Sequence, residues 1–312
     1  MKNKEQFKTS IGGQALIEGV MMRGPEQCAM AVRLPDGEID VESWTIGDGS
    51  KKWYRKAPFI RGGFNMVDSL VTGYKCLMKS AEKSGLEDEE EPGKFEKWLA
   101  GKLGKSLTSV VAVFAVVVGA ALAIGLFVAL PAFLVGLLGD MVASSLLKSA
   151  LEGVVKIALF VLYLALVSRM NEIRRVFEYH GAEHKTIACY EAGMELTVEN
   201  IRPQSRFHPR CGTSFLLIVL VVSILVFSVV TWNSVVMRIA LKILMLPLVV
   251  GIAYEIIKYA GRHDNPLTRA VSAPGLWLQH LTTNEPDDSQ IEVAIASMAP
   301  VIPAKKGEED AW

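Results

Sequence analysis

The segment "YHGAEHKTIACYE", residues 179–191, contains residue types that bind and activate divalent metal ions. His180 and His184 are four positions apart, so on a helix their imidazoles lie one turn apart on one face and can reach a single ion. Glu183 lies on the flank of that face, about 60° from His180 in helical projection. The order His-x-x-Glu-His is that of the inverzincin metallopeptidases, in which the histidines bind zinc and the glutamate polarises the attacking water.

A second group of donors follows in "RFHPRCG", where His208 and Cys211 have the His-x-x-Cys spacing of a short metal-binding knuckle. Three of the five histidines and two of the four cysteines of the chain fall between residues 180 and 211. We therefore predict a divalent metal site, with zinc as the favoured ion, formed by His180, His184, His208 and Cys211.

The number of ligands decides whether such a site is structural or catalytic. Four protein ligands enclose a structural zinc ion, whereas three leave a position open for water or substrate. In the closed form Glu183 orients an imidazole; in the open form it is the natural general base. Both alternatives stay open at this point. Further donors, for which a structural role is favoured, are Glu191, Cys189, His263, Asp264 and His280.

The composition indicates that the chain is a membrane protein. Apolar residues make up 51% of the 312-residue chain, and the mean hydropathy is +0.31. The formal net charge is zero, from 33 basic and 33 acidic side chains, so nothing in it favours a nucleic-acid partner. The four cysteines are too scattered for a secreted disulfide framework, which favours a reducing, cytosol-facing setting.

Four apolar stretches predict four membrane spans, at about residues 108–130, 153–170, 213–232 and 236–257. Lysine and arginine collect between the second and third spans, which places that loop in the cytosol. An even number of spans then puts both termini in the cytosol of a multi-pass protein of the cell membrane. The second span is expected to continue as one helix into the histidine segment, and Gly193 to end it.

The fold class predicted is therefore an α-helical integral membrane protein with about four transmembrane helices and a small N-terminal α+β cytosolic domain. Residues 1–90 form that domain, with a hairpin at Pro35-Asp36-Gly37 and an amphipathic helix over Phe64–Met78 that packs on the hairpin or lies on the bilayer. Residues 91–106 are a linker, 107–257 the membrane region with its metal-binding loop at 171–212, and 258–312 a cytosolic C-terminal segment.

Several segments resemble one known family, the YqhQ family of bacterial inner-membrane proteins, which are described as metal-dependent enzymes of unknown function. The resemblance covers nearly the whole chain and is carried by "GGQALIEGVMMRGP", "RGGFNMVDSLVTGYKCL", "YHGAEHKTIACYE", "RFHPRCGTSF" and "PGLWLQHLTTNEPDDSQIEVAI". It implies a metal site at His180, His184, His208 and Cys211 with Glu183.

Two functions from different classes are compatible with this pattern. The first is a membrane-anchored metal-dependent hydrolase that acts at the cytosolic face on a peptide or lipid-linked substrate, with Glu183 as the catalytic residue. The second is a non-catalytic membrane module with a structural zinc site, which binds membrane-protein partners, for example in membrane-protein biogenesis. Membrane lipids are partners in both, and the oligomeric state is left open. Small-molecule transport has less support, because no pair of broken helices is evident.

Overall fold

The computed structural model describes residues 7–47, 57–85, 114, 117–119, 121–138, 145–228, 235–263 and 265–304. Its N-terminal part is a four-stranded antiparallel sheet in the order β1-β2-β3-β4, formed by Gly12–Leu16, Gly19–Arg23, Gln27–Arg33 and Ile39–Thr45. The hairpin predicted at Pro35-Asp36-Gly37 is confirmed, since β3 and β4 pair from Gln27↔Thr45 to Arg33↔Ile39. Gly37 has a φ of 91°, which suits glycine at this turn.

Strands β2 and β3 are buried on both faces of the sheet. Successive side chains of a strand point to opposite sides, so each strand contributes to two clusters. On one face Val20, Met22, Ala29 and Ala31 join the main hydrophobic core. On the other face Met21, Met30 and Val32 pack in a second cluster with Cys76 of a long helix, α1, Ile60–Lys83. The amphipathic helix expected over 64–78 is thus confirmed, and it contacts the sheet.

The remaining helices are α2 (Leu130–Gly136, preceded by a π-helical turn at Gly125–Ala129), α3 (Ser145–Val167), α4 (Asn171–Glu191), α5 (Val198–Ile201), α6 (Gly212–Ser228), α7 (Val235–Arg262), α8 (Pro266–Thr282) and α9 (Asp288–Met298). The chain is mostly helical. Within the described residues, three helices are long and apolar enough to cross a membrane: Val117–Gly136, Leu147–Val167 and Ile243–Arg262.

The structure describes only part of the span predicted at 213–232, which therefore stays a prediction. Its helix, α6, has 17 residues and ends at Ser228, and the rest of the stretch lies outside the described residues. The predictions for the linker at 91–106, and for the first residues of the span from 108, also lie outside them. The division of the chain into segments at these places stays a prediction.

The continuous helix expected from the second span into the histidine segment is wrong. Helix α3 ends at Val167, and Met170 adopts an extended conformation (φ −71°, ψ 134°) before α4 begins at Asn171. The break lets α4 leave the direction of α3 and pack on the sheet and α9. The predicted end at Gly193 is confirmed, because this glycine has a φ of 71° two residues after Glu191.

The first and last parts of the chain enclose α4 between them. Helix α9 packs on α4 and on strands β2 and β3, and side chains of all of them share the main core, among them Tyr179, Ile187, Ile291 and Met298. Asp287 caps α9 with a capping box, in which it accepts from Gln290 N–H. Segments more than 250 residues apart therefore determine the position of the helix that carries the two histidines.

Helix α1 also contacts α7 closely at Gly62, which generates a prediction. A Cβ at Gly62 would lie 2.6 Å from Cβ of Tyr254, whereas a Cβ at Gly63 would meet nothing within 4 Å. We expect Gly62→Ala to reduce the free energy of unfolding by about 1–3 kcal/mol through overpacking. Gly63→Ala should instead be neutral or stabilise by up to about 1 kcal/mol, since alanine favours helix. Thermal unfolding of the two purified variants in detergent checks this; equal Tm changes would contradict the close approach of α1 and α7.

Candidate metal centre

Three of the four predicted ligands lie together. One ligand atom each of His180, His184 and Cys211 falls within 4.8 Å of the others, a spacing at which one ion can bind all three. His180 and His184 come from adjacent turns of α4, and their ring centroids are 4.4 Å apart. Cys211 is the residue just before α6, and its Sγ is 3.2 Å from Nε2 of His180.

Backbone carbonyls orient both imidazoles. His180 Nδ1 lies 2.8 Å from the carbonyl oxygen of Thr282, and His184 Nδ1 lies 2.6 Å from that of Arg206. A carbonyl can only accept, so Nδ1 carries the proton in each ring and Nε2 is left to bind an ion. Such a hydrogen bond from the second ring nitrogen is typical of metal-binding histidines.

The surroundings of Cys211 favour the thiolate, which is the form of cysteine that binds metal. Burial raises the pKa of the Cys211 thiol, but the positive charges of His180 and His184 outweigh it and hold that pKa well below its usual value. The dipole at the N-terminus of α6 also favours the thiolate. Cys211 belongs to this helix end, since its backbone carbonyl accepts a hydrogen bond from Phe215 N–H. Conversely, burial lowers the pKa of His180, but the negative charge of Cys211 outweighs it and raises that pKa. The donor set therefore fits a soft divalent ion such as zinc.

His208, the fourth predicted ligand, lies beside this group but outside it. Its ring centroid is 5.5 Å from that of His184, and its Nε2 faces Oε2 of Glu191 at 3.8 Å and Nη2 of Arg210 at 3.2 Å. Burial lowers the pKa of His208, although Glu191 opposes the change. In this structure His208 faces Glu191, and its role as the fourth metal ligand stays a prediction.

Glu191 anchors this side of the site. Its Oε1 accepts from Thr9 N–H at 2.8 Å and from Arg210. Burial raises the pKa of Glu191, but the nearby His208 and the charge of Arg210 outweigh it, so the net shift is downward. A buried ion pair fixes geometry well, because loss of either partner leaves an uncompensated charge. The N-terminal segment, the end of α4 and the 208–211 turn are joined here.

Gln279 of α8 holds the backbone of His208 from the other side. Its Oε1 accepts from His208 N–H at 2.8 Å, and its Nε2 donates to the carbonyl of the same residue at 2.8 Å. The same amide also donates to Ser214 Oγ at 3.1 Å. The fully buried Gln279 thereby positions the segment that delivers Cys211.

Glu183 lies in the wall of a cleft of about 430 Å³ that His180, His184, His208 and Cys211 also line. Glu183 as a residue is 4% exposed, and within the described residues its Oε2 has no hydrogen-bond partner. Burial raises the pKa of Glu183, opposed by the charges of His184 and His180. Strand β1 forms the opposite wall; a Cβ at Gly13 would lie 3.0 Å from Cδ of Glu183, so only glycine allows this approach. Arg23 of β2 and Thr72 of α1 complete the rim.

Sequence reasoning missed the groups that hold the ligands. The carbonyls of Thr282 and Arg206 belong to the backbone, so no residue type in the sequence marks them. Gln279 is next to His280, whose imidazole made His280 the more evident candidate. His280 is exposed, with Nδ1 3.1 Å from the Trp277 carbonyl, and neither it nor His263 lines the cleft. Cys189 is buried in the main core, and Asp264 lies outside the described residues.

Comparisons with known proteins agree with the resemblance noted in the sequence. Residues 57–304 match the model of a family described as "Protein of unknown function (DUF1385)". The chain belongs to this family. It is also 35% identical over 297 residues to "Uncharacterized protein YqhQ" of Bacillus subtilis (strain 168), which covers 95% of this chain and 93% of that protein. No solved structure matches the chain. The family match begins after the sheet.

The three-donor group predicts which substitutions release the metal. We expect the purified protein to contain about one ion per chain, and His180→Ala, His184→Ala and Cys211→Ala each to lower metal affinity by at least about tenfold. His280→Ala is the matched control, since this exposed histidine lies outside the cleft. Elemental analysis after dialysis against a weak chelator measures the ion content. The same measurement on His208→Ala separates a three-residue from a four-residue shell. Full metal content in Cys211→Ala would contradict the assignment.

Proposed function

We propose that this chain is a multi-pass membrane protein with a cytosol-facing divalent metal site, and that the site is a metal-dependent hydrolase centre with Glu183 as general base. The observation that carries the proposal is the carboxylate of Glu183, whose Oε2 is buried without a partner in the same cleft as three converging metal donors. A buried oxygen without a hydrogen-bond partner lowers the free energy of unfolding by about 1–3 kcal/mol. Proteins often keep such a group where function requires it.

The chemistry divides between the ion and the protein. A divalent ion held by His180, His184 and Cys211 would supply Lewis-acid activation of a substrate carbonyl or phosphoryl group. Glu183 accepts the proton of the attacking water at Oε2, for which burial is favourable because it raises the pKa of this carboxyl toward neutrality. The carbonyls of Thr282 and Arg206 keep both imidazoles in the required tautomer. The cleft beside Glu183 has room for part of a peptide or lipid-linked substrate.

A closed structural zinc site is the second candidate, and one observation favours it. The hydrogen bonds of the two imidazoles join α4 to the 206–211 segment and to the end of α8, so an ion would tie three parts of the chain together. In that case His208 completes the shell and Glu183 only orients a ligand. The protein would then act as a partner-binding module of the membrane.

Replacement of Glu183 by glutamine distinguishes these functions. Glutamine keeps the shape of the side chain but cannot accept a proton, so we expect Glu183→Gln to retain its metal and to lose about 10²–10⁴-fold in activity. Because the substrate is unidentified, the readout is rescue of a strain that lacks the chain's own gene, with metal content measured in parallel. Glu172→Gln is the control, since this exposed carboxylate lies in the first turn of the same helix. Full rescue by metal-loaded Glu183→Gln would remove the general-base role.

The membrane arrangement in this proposal rests on the apolar helices and on the basic residues between α3 and α6. In Val117–Gly136 and Leu147–Val167 only 6% of the most apolar window is buried in the protein, as expected of helices surrounded by lipid. Arg169, Arg174, Arg175, Lys185, Arg202, Arg206 and Arg210 all lie in the intervening segment, which therefore faces the cytosol. The metal centre, formed largely by this segment, is on the same side.

Reporter fusions test this orientation. A phosphatase that is active only outside the cytosol should be active when fused after Asp140 or Asn233, which fall between the first and second and between the third and fourth stretches. It should be inactive after Gln204 or Trp312, where a fluorescent protein that matures in the cytosol should instead be bright. Phosphatase activity after Gln204 would place the metal centre on the wrong side of the membrane and overturn the arrangement.

A further inference from the structure

Helix α1 turns its large apolar side chains away from the protein, unlike a helix on the surface of a globular protein. Such helices normally turn their apolar stripe to the core and their charges to solvent. In α1 the residues buried against the protein are small: Gly62, Gly73, Cys76 and Ser80. The large apolar side chains point away from it. At about 100° per residue, six of them fall within an arc of about 80°. These six are Ile60, Phe64, Val67, Val71, Tyr74 and Met78, and each is 44–59% exposed.

Four charged side chains of α1 turn toward the protein instead, whereas Lys75 and Glu82 are exposed. Arg61 makes a two-bond ion pair with Glu255 of α7, with its Nε 2.8 Å from Oε1. Asp68 pairs with Arg23 of β2 at 2.9 Å. Lys79 and Lys83, near the end of the helix, pair with carboxylates of β4. Ion pairs in these directions fix the rotation of the helix about its axis, so the apolar arc cannot turn inward without breaking them.

The N-terminal end of α1 is joined to a candidate membrane span. Gly62 packs against Tyr254 of α7, Gly251 of α7 packs against the carbonyl of Phe59, and Asn65 donates to the hydroxyl of Tyr254 at 3.0 Å. These α7 residues lie near the middle of the span candidate Ile243–Arg262, whose Arg262 end the proposed orientation places at the cytosolic surface. The apolar arc of α1 is therefore continuous with helices whose own exposed surface is apolar.

We propose that α1 lies in the plane of the cytosolic leaflet, with its apolar arc among the acyl chains and its charged side against the protein. This inference rests on the membrane insertion proposed above. An amphipathic helix at this depth binds by the apolar area that it buries between headgroups and chains. Ser69 and Thr72 lie on the opposite side of α1 and line the metal cleft. The cleft thus opens within about 10 Å, one helix diameter, of the leaflet surface, where lipid-linked or membrane-bound substrates are found.

Fluorescence quenching in the full-length protein tests the position of α1. Val67→Cys is labelled with an environment-sensitive maleimide probe, and Val71→Cys serves as a second site in case the first label disturbs folding. The four native cysteines are buried, and the unaltered chain provides the labelling blank. The protein is placed in nanodiscs of phosphatidylethanolamine and phosphatidylglycerol, with or without nitroxide groups on the acyl chains. Leu162→Cys, 55% exposed in the second half of α3, is the lipid control, and Asp36→Cys in the β3–β4 turn is the aqueous control.

We expect nitroxide lipid to quench the probes at residues 67 and 162 to within about twofold of each other, and iodide to quench only the probe at residue 36. Quenching of the residue 67 probe by iodide, with lipid quenching at residue 162 retained, would overturn the interfacial position of α1 and leave the membrane insertion intact. A residue 67 probe shielded from both quenchers would show that protein, such as a second copy of the chain, covers the arc, and would also overturn the proposal. Absence of lipid quenching at residue 162 would overturn the membrane insertion itself, and the position of α1 with it.

Discussion

The hydrogen bonds from Nδ1 of His180 and His184 to the carbonyls of Thr282 and Arg206 are the constraint on which the site depends. They select one tautomer of each ring and leave both Nε2 atoms directed toward Cys211. Each carbonyl belongs to a different segment of the chain. The pair of imidazoles is consequently correct only when α4, the end of α8 and the 206–211 segment are all in place, which ties the metal donors to the packing of these three segments.

Two glutamates of α4 illustrate how the surroundings assign different roles to one residue type. Glu191 is buried but surrounded by Arg210, His208 and the N–H of Thr9, which satisfy its charge and make it a structural anchor. Glu183 is buried at least as deeply, yet its Oε2 lacks a partner within the described residues and faces the cleft. A buried carboxylate without full compensation is an expensive feature in a protein interior and a useful one in a site that must accept a proton.

The sheet and α1 connect this site with the apolar helices. Residues of strands β1 and β2 line the cleft together with Ser69 and Thr72 of α1, and α1 also packs on one face of the sheet. Helix α1 in turn contacts α7, whose residues Ile243–Arg262 are long and apolar enough to span a membrane. One helix thus takes part in the cleft, the sheet and the span region, so a change in its position would alter all three.

The sequence by itself determined the features that depend on local spacing. The two histidines one turn apart, the hairpin at Pro35-Asp36-Gly37, the amphipathic period of α1 and the end of α4 at Gly193 follow from residue order, because helix and strand geometry repeat every few residues. Only the tertiary structure decided which distant groups meet them. Cys211 joined His180 and His184, while His208 faced Glu191, because Gln279 and Arg210 hold the 208–211 turn in one orientation. The break at Met170 and the outward apolar face of α1 likewise result from contacts with remote segments, which no local periodicity encodes.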